Sequence, residues 1–458
     1  MTDEERGLFG ELARHEAVDR DAGLARYVEA KRDEIVFERF EFDGLVDAGH
    51  AARAIWAYVE QVDLGDLYGQ IKARAHTPGR PAADPQVMLG LWLYACVEGV
   101  GSARQLERLT EQHNGFRWLR GGVPLNHHLL SDFRWEAAAL VDRLLTQGVA
   151  ALCKEGLVKL VTLSHDGIRA SAGSGSFRRR ATLERLLGEV EERIVRLKQE
   201  IDTDPDASNR RMRASAERAA RERHERVTAA LQAVRALQAQ QAPAAEAAGP
   251  PESGAPPADA KTTKKKKKEP RGLTTDVQAR VMRMADGGWR PAYNVQLVGD
   301  LDSGVIVGVG IDTTGSDGEL MAPAAAEVER RYARRPQRWL TDGGFTSLDD
   351  IVTLARKGIT VFRPLKPRRN PNNDPAAPCP GDRPEIADWR RRMVDDAQAG
   401  PASWIRRRGE HERLNANFRR QGLQQFNVRG VLKAKAVSLL HAPANNIMAA
   451  PRLRAAAH

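Results

Sequence analysis

Two aspartates stand beside glycines where short apolar runs end. Asp166 precedes Gly167, and Asp342 precedes Gly343 and Gly344. Alone, each Asp-Gly pair is typical of an ordinary turn. On neighbouring strands, which lie roughly 5 Å apart, two such carboxylates would supply the oxygen ligands that Mg²⁺ prefers. Two ions about 3.5–4 Å apart activate the attacking oxygen and stabilise the leaving oxygen in phosphodiester chemistry.

A third acid, Glu412, lies in a strongly basic segment. Between residues 404 and 435 the chain has nine Lys or Arg against two acids, Glu410 and Glu412. A helix over 404–420 would place Glu412, Asn415 and Arg419 on one face and Glu410 about 200° away. Glu412 is then either a salt-bridge partner of its basic neighbours, which charge alone favours, or a metal ligand that faces phosphate.

The elements that position these acids follow from alternating strand and helix patterns. An apolar strand leads from Val158 and ends at Asp166. Further strands are predicted at 292–298 and 304–309, as a hairpin, and at 338–342 and 359–362. Helices are predicted at 319–333 and 348–356. The second part of this pattern is that of a βαβ unit, and residues 366–385, rich in Pro and Asn, predict a loop.

The sequence before Asp166 has a pattern typical of helices. Residues 51–160 carry apolar positions at helical spacing and predict a compact helical N-terminal domain. A helix-turn-helix is one interpretation of Ser102–Glu107, because Gly99 and Gly101 break the chain before an Arg-containing helix. A packed helical bundle without base contacts is the other.

A long insertion separates Asp166 from the later strands. Leu183, Val190 and Leu197 recur every seven residues, which predicts a coiled-coil seam. A second helix follows around Val227 and Leu231, so we expect an antiparallel helical hairpin. Residues 242–270 are rich in Ala, Pro and Gly and include five consecutive lysines, a composition that predicts a linker. These lysines either contact DNA phosphates or are simply solvated.

The composition favours a polyanionic partner. Lys and Arg outnumber Asp and Glu by 71 to 61, and the pI is near 9.6. Cys96, Cys153 and Cys379 show no metal-ligand spacing and predict reduced thiols. The first residues lack the features of a secretion signal, and no apolar run reaches the roughly 18 residues of a membrane helix. We therefore expect an intracellular protein without a membrane partner.

Five motifs, in this order along the chain, resemble DDE transposases of bacterial insertion sequences, in particular insertion-sequence family eleven eighty-two, which is related to families four and five. They are His165-Asp-Gly-Ile-Arg-Ala-Ser-Ala172, Arg280-Val-Met-Arg-Met-Ala-Asp-Gly-Gly288, Pro291-Ala-Tyr-Asn-Val-Gln296, Trp339-Leu-Thr-Asp-Gly-Gly-Phe345, and Glu412-Arg-Leu-Asn-Ala416 with Val428-Arg-Gly430. Residues 84–135 resemble the helical N-terminal domain of that family. The resemblance covers about residues 80–445, and the ordered set is far more specific than any one motif.

The resemblance implies an α/β chain. Its RNase H-like catalytic domain, a mixed sheet flanked by helices, would carry a helical hairpin insertion and follow an all-helical N-terminal domain. The implied divisions are a DNA-binding and dimerisation domain, the first part of the catalytic domain, the hairpin with its Lys-rich linker, the rest of the catalytic domain, and a tail, at 1–155, 156–177, 178–270, 271–440 and 441–458.

The resemblance also implies the site. Asp166 and Asp342 match the two aspartates of the family and Glu412 matches its glutamate, and together they would hold two Mg²⁺ ions, for which Mn²⁺ can substitute. Asn415 and Arg419 match the polar and basic positions that contact DNA near the cut. Further residues expected at DNA are Arg169, Arg420, Arg429, Lys433, Lys264, Lys265 and Lys266.

The implied activity is transposition. The protein would bind the terminal inverted repeats of its element on double-stranded DNA, cut the ends and join them to target DNA, acting as a homodimer in the bacterial cytoplasm at the nucleoid. Two alternatives stay open, a catalytically silent DNA-binding derivative and a nuclease without strand transfer. Two departures from the family stand out: Arg419 replaces a common lysine, and Pro443 is expected to interrupt the last helix, because an interior proline costs about 3 kcal/mol.

Overall fold

The computed structural model describes residues 41–73, 81–173, 175–203, 207–241, 269–366, 374–394 and 409–457. Side chains at 201–203, 207–211, 240, 241 and 410 are outside this description. Among these residues, a mixed sheet of seven strands is flanked by helices. The described residues from Phe42 onward form one compact unit. The expectation of an α/β fold with a mixed sheet is confirmed.

The sheet is built around β1 (Thr162–Ala172). Antiparallel to it lies β3 (Trp289–Asp300), paired from Leu163 to Ser171. Parallel to it on the other side lies β5 (Arg338–Leu340), which pairs in turn with β6 (Thr360–Phe362). The remaining strands are β2 (Arg280–Arg283) and β4 (Ile306–Asp312), which both pair with β3, and β7 (Gln425–Phe426), which pairs with the end of β1.

One boundary of the central strand differs from the sequence prediction. We expected a strand that ends at Asp166, but β1 continues to Ala172. The physical reason is β3, whose backbone pairs with β1 well beyond Asp166 and Gly167. Asp166 is therefore held in the interior of a strand.

The N-terminal region is helical, as expected for residues 51–160. Its helices are α1 (Ala51–Val59), α2 (Gly65–Gln70), α3 (Pro85–Val97), α4 (Ala103–Gln112), α5 (Asn114–Arg120), α6 (His127–Glu136) and α7 (Ala138–Lys154). Asp84 caps α3 by accepting from the Gln86 backbone N–H at 2.8 Å. Gly99, at φ +73°, turns the chain towards α4. The order helix, turn, helix is therefore present, and a base-reading role for α4 stays a prediction.

The insertion after β1 is the expected hairpin, formed by α8 (Arg180–Thr203) and α9 (Ala207–Gln241). Its two helices are antiparallel, because Glu184 contacts Arg235 and Glu191 contacts His224. Leu183, Val190 and Leu197 are buried along the predicted seam. The linker over 242–268, including the five lysines, lies outside the described residues.

Five helices follow in the rest of the described chain: α10 (Met321–Tyr332), α11 (Leu348–Arg356), α12 (Pro384–Arg392), α13 (Gly409–Arg420) and α14 (Val431–Ala457). The first two match predicted helices closely. In contrast, α12 begins within the predicted loop, where Ile386 and Trp389 are buried. The part of the predicted helix before residue 409 lies outside the described residues.

The C-terminal segment corrects two expectations. We expected a tail from residue 441 and an interruption at Pro443, but α14 runs unbroken through Pro443. It packs against α3, α7 and β4, and Asn446 bonds both the backbone N–H and the carbonyl of Ile306, each at 2.8 Å. Burial against three elements and this pairing with β4 offset the cost of the proline.

Candidate active site

Parallel pairing brings Asp166 and Asp342 to one level of the sheet. Ser164 of β1 lies opposite Leu340 of β5, and each aspartate is two residues further along its own strand direction. Both carboxylates line a pocket of about 440 Å³, which Glu412 also lines. Three acids from distant parts of the chain therefore share one pocket.

Helix α13 places Glu412 at this pocket through two contacts with β1. The buried ring of His411 lies with its Nδ1 2.6 Å from the Ser164 Oγ, and Asn415 donates from Nδ2 to the Asp166 Oδ2 at 3.0 Å. Asn415 and Arg419, expected on the Glu412 face, both line the pocket. The Glu410 side chain lies outside the described residues.

Each aspartate is also oriented by a local backbone bond. Asp166 Oδ1 accepts from the Gly167 N–H at 2.8 Å, and Asp342 Oδ1 accepts from the Gly344 N–H at 2.7 Å. The Asp342 bond is the turn-capping contact that an ordinary Asp-Gly turn would make. It orients the carboxylate, since a hydrogen-bonded Oδ1 fixes where Oδ2 lies.

A fourth carboxylate, Asp317, lines the same pocket and was missed from the sequence. It lies in the loop between β4 and α10, five residues after the end of β4, so no strand leads directly into it. Its Oδ1 accepts from Asn294 Nδ2 at 2.7 Å and from Gln296 Nε2 at 2.8 Å. The signal for it was the alternation of Asn294 and Gln296, which places two amides on one face of β3.

The donor set is chemically suited to a hard cation. Four carboxylates line the pocket beside Arg169, Arg283 and Arg419. The Oδ1 of Asn415, a residue only 3% exposed, is buried there without a hydrogen-bond partner among the described residues. In the described part of the chain, no group of three His, Cys, Asp or Glu side chains is placed to hold a metal ion. The acids of the pocket are therefore further apart than in a formed metal site. The residue types therefore fit a metal, and the carboxylates would have to draw closer around it.

The basic residues expected at DNA fall into two places. Arg169 and Arg419 line the acidic pocket, and Arg169 is held there by a 2.8 Å bond from Nη1 to the Arg283 carbonyl. Arg429 and Lys433 line a separate pocket of about 350 Å³ beside α6.

The other expected DNA contacts lie elsewhere. A Cβ added to Gly99 would be 3.1 Å from the Arg420 carbonyl oxygen, so the Arg420 backbone lies against Gly99. Arg420 is not among the residues lining the acidic pocket. Lys264, Lys265 and Lys266 lie outside the described residues.

His165 precedes Asp166 but has a packing role. Its ring is fully buried, with centroids 5.6 Å from Trp339 and 4.7 Å from Phe345. This burial lowers the pKa of His165 to about 3. The imidazole is therefore neutral near pH 7 and anchors β1 against β5 and the segment after it.

The comparisons with known proteins bear on the N-terminal region. Residues 40–136 match the family model described as a transposase domain (DUF772). The match supports a transposase family. It spans α1 to α6 and stops before the first of the acids, so it does not test the pocket. No curated protein and no solved structure gives a significant match. In the described part of the chain, none of the helices is both long enough and apolar enough to cross a membrane.

Proposed function

We propose that the chain is a DDE-class DNA transposase in which Asp166, Asp342 and Glu412 hold two Mg²⁺ ions, with Mn²⁺ able to substitute. The observation that carries the proposal is the convergence of these acids, from β1, the end of β5 and α13, in one pocket with Arg169 and Arg419. The transposase-domain match upstream supports the same function. The mixed sheet and the hairpin inserted after β1 support an RNase H-like catalytic domain.

The bound ions would activate the attacking oxygen and stabilise the leaving oxygen of a DNA phosphodiester. Other side chains of the protein position the acids. Asn415 orients Asp166, and the Ser164–His411 contact fixes α13, and with it Glu412, against β1. The guanidinium groups of Arg169 and Arg419 would contact the phosphates beside the cut.

The proposed partner is double-stranded DNA, first the terminal inverted repeats of the element and then target DNA. Arg429 and Lys433 would bind backbone phosphates away from the cut, because their pocket is separate from the acids. Pairing of two DNA ends implies a homodimer on DNA. The domain divisions given above belong to this proposal, with residues 441–457 reassigned from a tail to α14.

Two other functions use the same fold. A silent DNA-binding derivative was favoured only by Pro443, which instead lies inside an unbroken helix. A nuclease without strand transfer shares every site residue. The test is to incubate the full chain and Mg²⁺ with labelled DNA that carries the inverted repeats flanking its gene, together with a target plasmid. Cut and joined ends support the proposal, cutting alone indicates a nuclease, and binding without cutting indicates the silent derivative.

A further inference from the structure

Asp317 is held in the acidic pocket by a dedicated pair of amides. Asn294 and Gln296, 1% and 6% exposed, both donate to its Oδ1, at 2.7 and 2.8 Å. They are alternate residues of β3, the strand that pairs with β1 beside Asp166. Because a rigid sheet carries both donors, the direction of the second oxygen, Oδ2, is fixed as well.

This carboxylate lies close to a glycine that neighbours each aspartate. A Cβ on Gly167, next to Asp166, would be 2.9 Å from the Asp317 Oδ1. A Cβ on Gly344 would be 3.4 Å from the Asp317 Oδ2 and 2.8 Å from the Asp342 Oδ1. The hydrogen-bonded oxygen therefore lies against Gly167 of β1, on the face that carries Gln296, and Oδ2 lies against Gly344, two residues after Asp342.

A purely structural role does not require an acid at this position. An asparagine side chain could accept the same two amide donations through its Oδ1, without adding a negative charge to a pocket lined by three other carboxylates. Four carboxylates against the three arginines that line the pocket, Arg169, Arg283 and Arg419, leave a net negative charge that a bound cation would neutralise. The buried and unpartnered Oδ1 of Asn415, which lines the same pocket, is an independent sign of a missing electropositive partner.

We propose that Asp317 is a fourth carboxylate of the cation site and that it supplies Oδ2 beside Asp342. Asn294 and Gln296 are the positioning residues that aim it. This inference rests on the proposed function for the identity of the cation, a hard divalent ion, and extends the acid set beyond the three residues that the sequence indicates.

The test measures metal binding directly, by titrating Mn²⁺ into the full chain without DNA in a calorimeter. Asp317→Asn should weaken Mn²⁺ binding at least about tenfold, since loss of even an outer-sphere partner costs 10–100-fold. Asp312→Asn is the matched control, because Asp312 lies five residues earlier, bonds Thr314, and is not among the residues lining the pocket. It should bind Mn²⁺ like the wild type.

Melting curves of the metal-free proteins separate site loss from misfolding. Asp317→Asn should melt at or above the wild-type temperature, because it removes a repulsive charge. Asp317→Ser, which keeps a hydrogen-bond acceptor, provides a second variant with the same expected loss of Mn²⁺ affinity. Unchanged Mn²⁺ binding by either folded variant, or no Mn²⁺ binding by the wild type, would overturn the inference. If Mn²⁺ binds through Asp317 but DNA is not cut, the inference stands and the proposed transposase activity fails.

Discussion

Gly167 is the position where a single added methyl group should disturb the site most directly. A Cβ there would lie 2.5 Å from Asn294 Oδ1, 2.6 Å from Gln296 Nε2 and 2.9 Å from Asp317 Oδ1. Real Cβ atoms essentially never come within 3.0 Å of such neighbours, so these side chains must shift. Gly167 is not among the glycines with positive φ, so the cost comes from contact and not from backbone strain.

We expect Gly167→Ala to lose about 1–3 kcal/mol of folding free energy, the usual cost of overpacking a well-packed site. That corresponds to a fall of a few degrees in the melting temperature. The displaced amides would release Asp317, so Mg²⁺-dependent cleavage should fall at least about tenfold. The assays are a thermal melt and cleavage of a labelled DNA end, run on one preparation.

Gly343→Ala is the matched control, because a Cβ at Gly343 meets nothing within 4 Å. Its stability should stay within about 0.5 kcal/mol of the wild type. If Gly167→Ala melts and cuts like Gly343→Ala, the close approach of β1 to the amide pair and Asp317 is wrong as described, and the positioning argument fails with it.

Three further predictions concern the acid on α13, the linker lysines and the buried histidine. Glu412→Gln should abolish cleavage, whereas Glu410→Gln should leave most of it, in the same end-cleavage assay. Alanines at residues 264–268 should weaken binding to all DNA sequences alike and flatten its salt dependence, measured by gel shift, because fewer counterions are released. Because the pKa of His165 is lowered from 6.5 to about 3 by burial, its neutral form stabilises the fold above pH 6.5. That stability is lost towards pH 3, at about 1.4 kcal/mol per pH unit, and His165→Leu should lose less stability on acidification in urea titrations.

Each of these predictions would be contradicted by a specific result. Loss of cleavage with Glu410→Gln and not Glu412→Gln would shift the register of α13. A changed sequence preference after lysine removal would mean that the tract reads bases. An equal loss of stability on acidification in wild type and His165→Leu would mean that this imidazole is protonated in the folded protein.

The sequence indicated which acids would lie in one pocket better than it indicated the residues around them. Asp166 and Asp342 were recognisable because apolar runs lead into them, and the parallel pairing of β1 with β5 then aligns them. Asp317 was missed because it follows irregular backbone, and only the pairing of β3 with β1 brings its two amide donors opposite Gly167 and Arg169, which line the pocket. The Asn294–Gln296 alternation carried that information, but its meaning depends on long-range strand pairing.

Two errors in the predicted secondary structure have a common physical cause. Pro443 opposes a helix locally, yet α14 continues because its sides are buried against α3, α7 and β4. Similarly, Asp166 and Gly167 are typical of a turn, yet β3 holds them within β1. In both cases tertiary packing outweighs a local preference that a sequence pattern can measure.

The most direct test of the catalytic assignment is Asp342→Asn, which preserves the shape of the side chain and removes its charge. The side-chain oxygen that Asn retains can still accept from the Gly344 N–H, so the turn and the fold should survive. We predict that the variant binds the DNA ends in a gel shift, melts no lower than the metal-free wild type, and does not cut labelled ends with Mg²⁺. Cleavage at a near wild-type rate would contradict the acid triad and the catalytic function built on it.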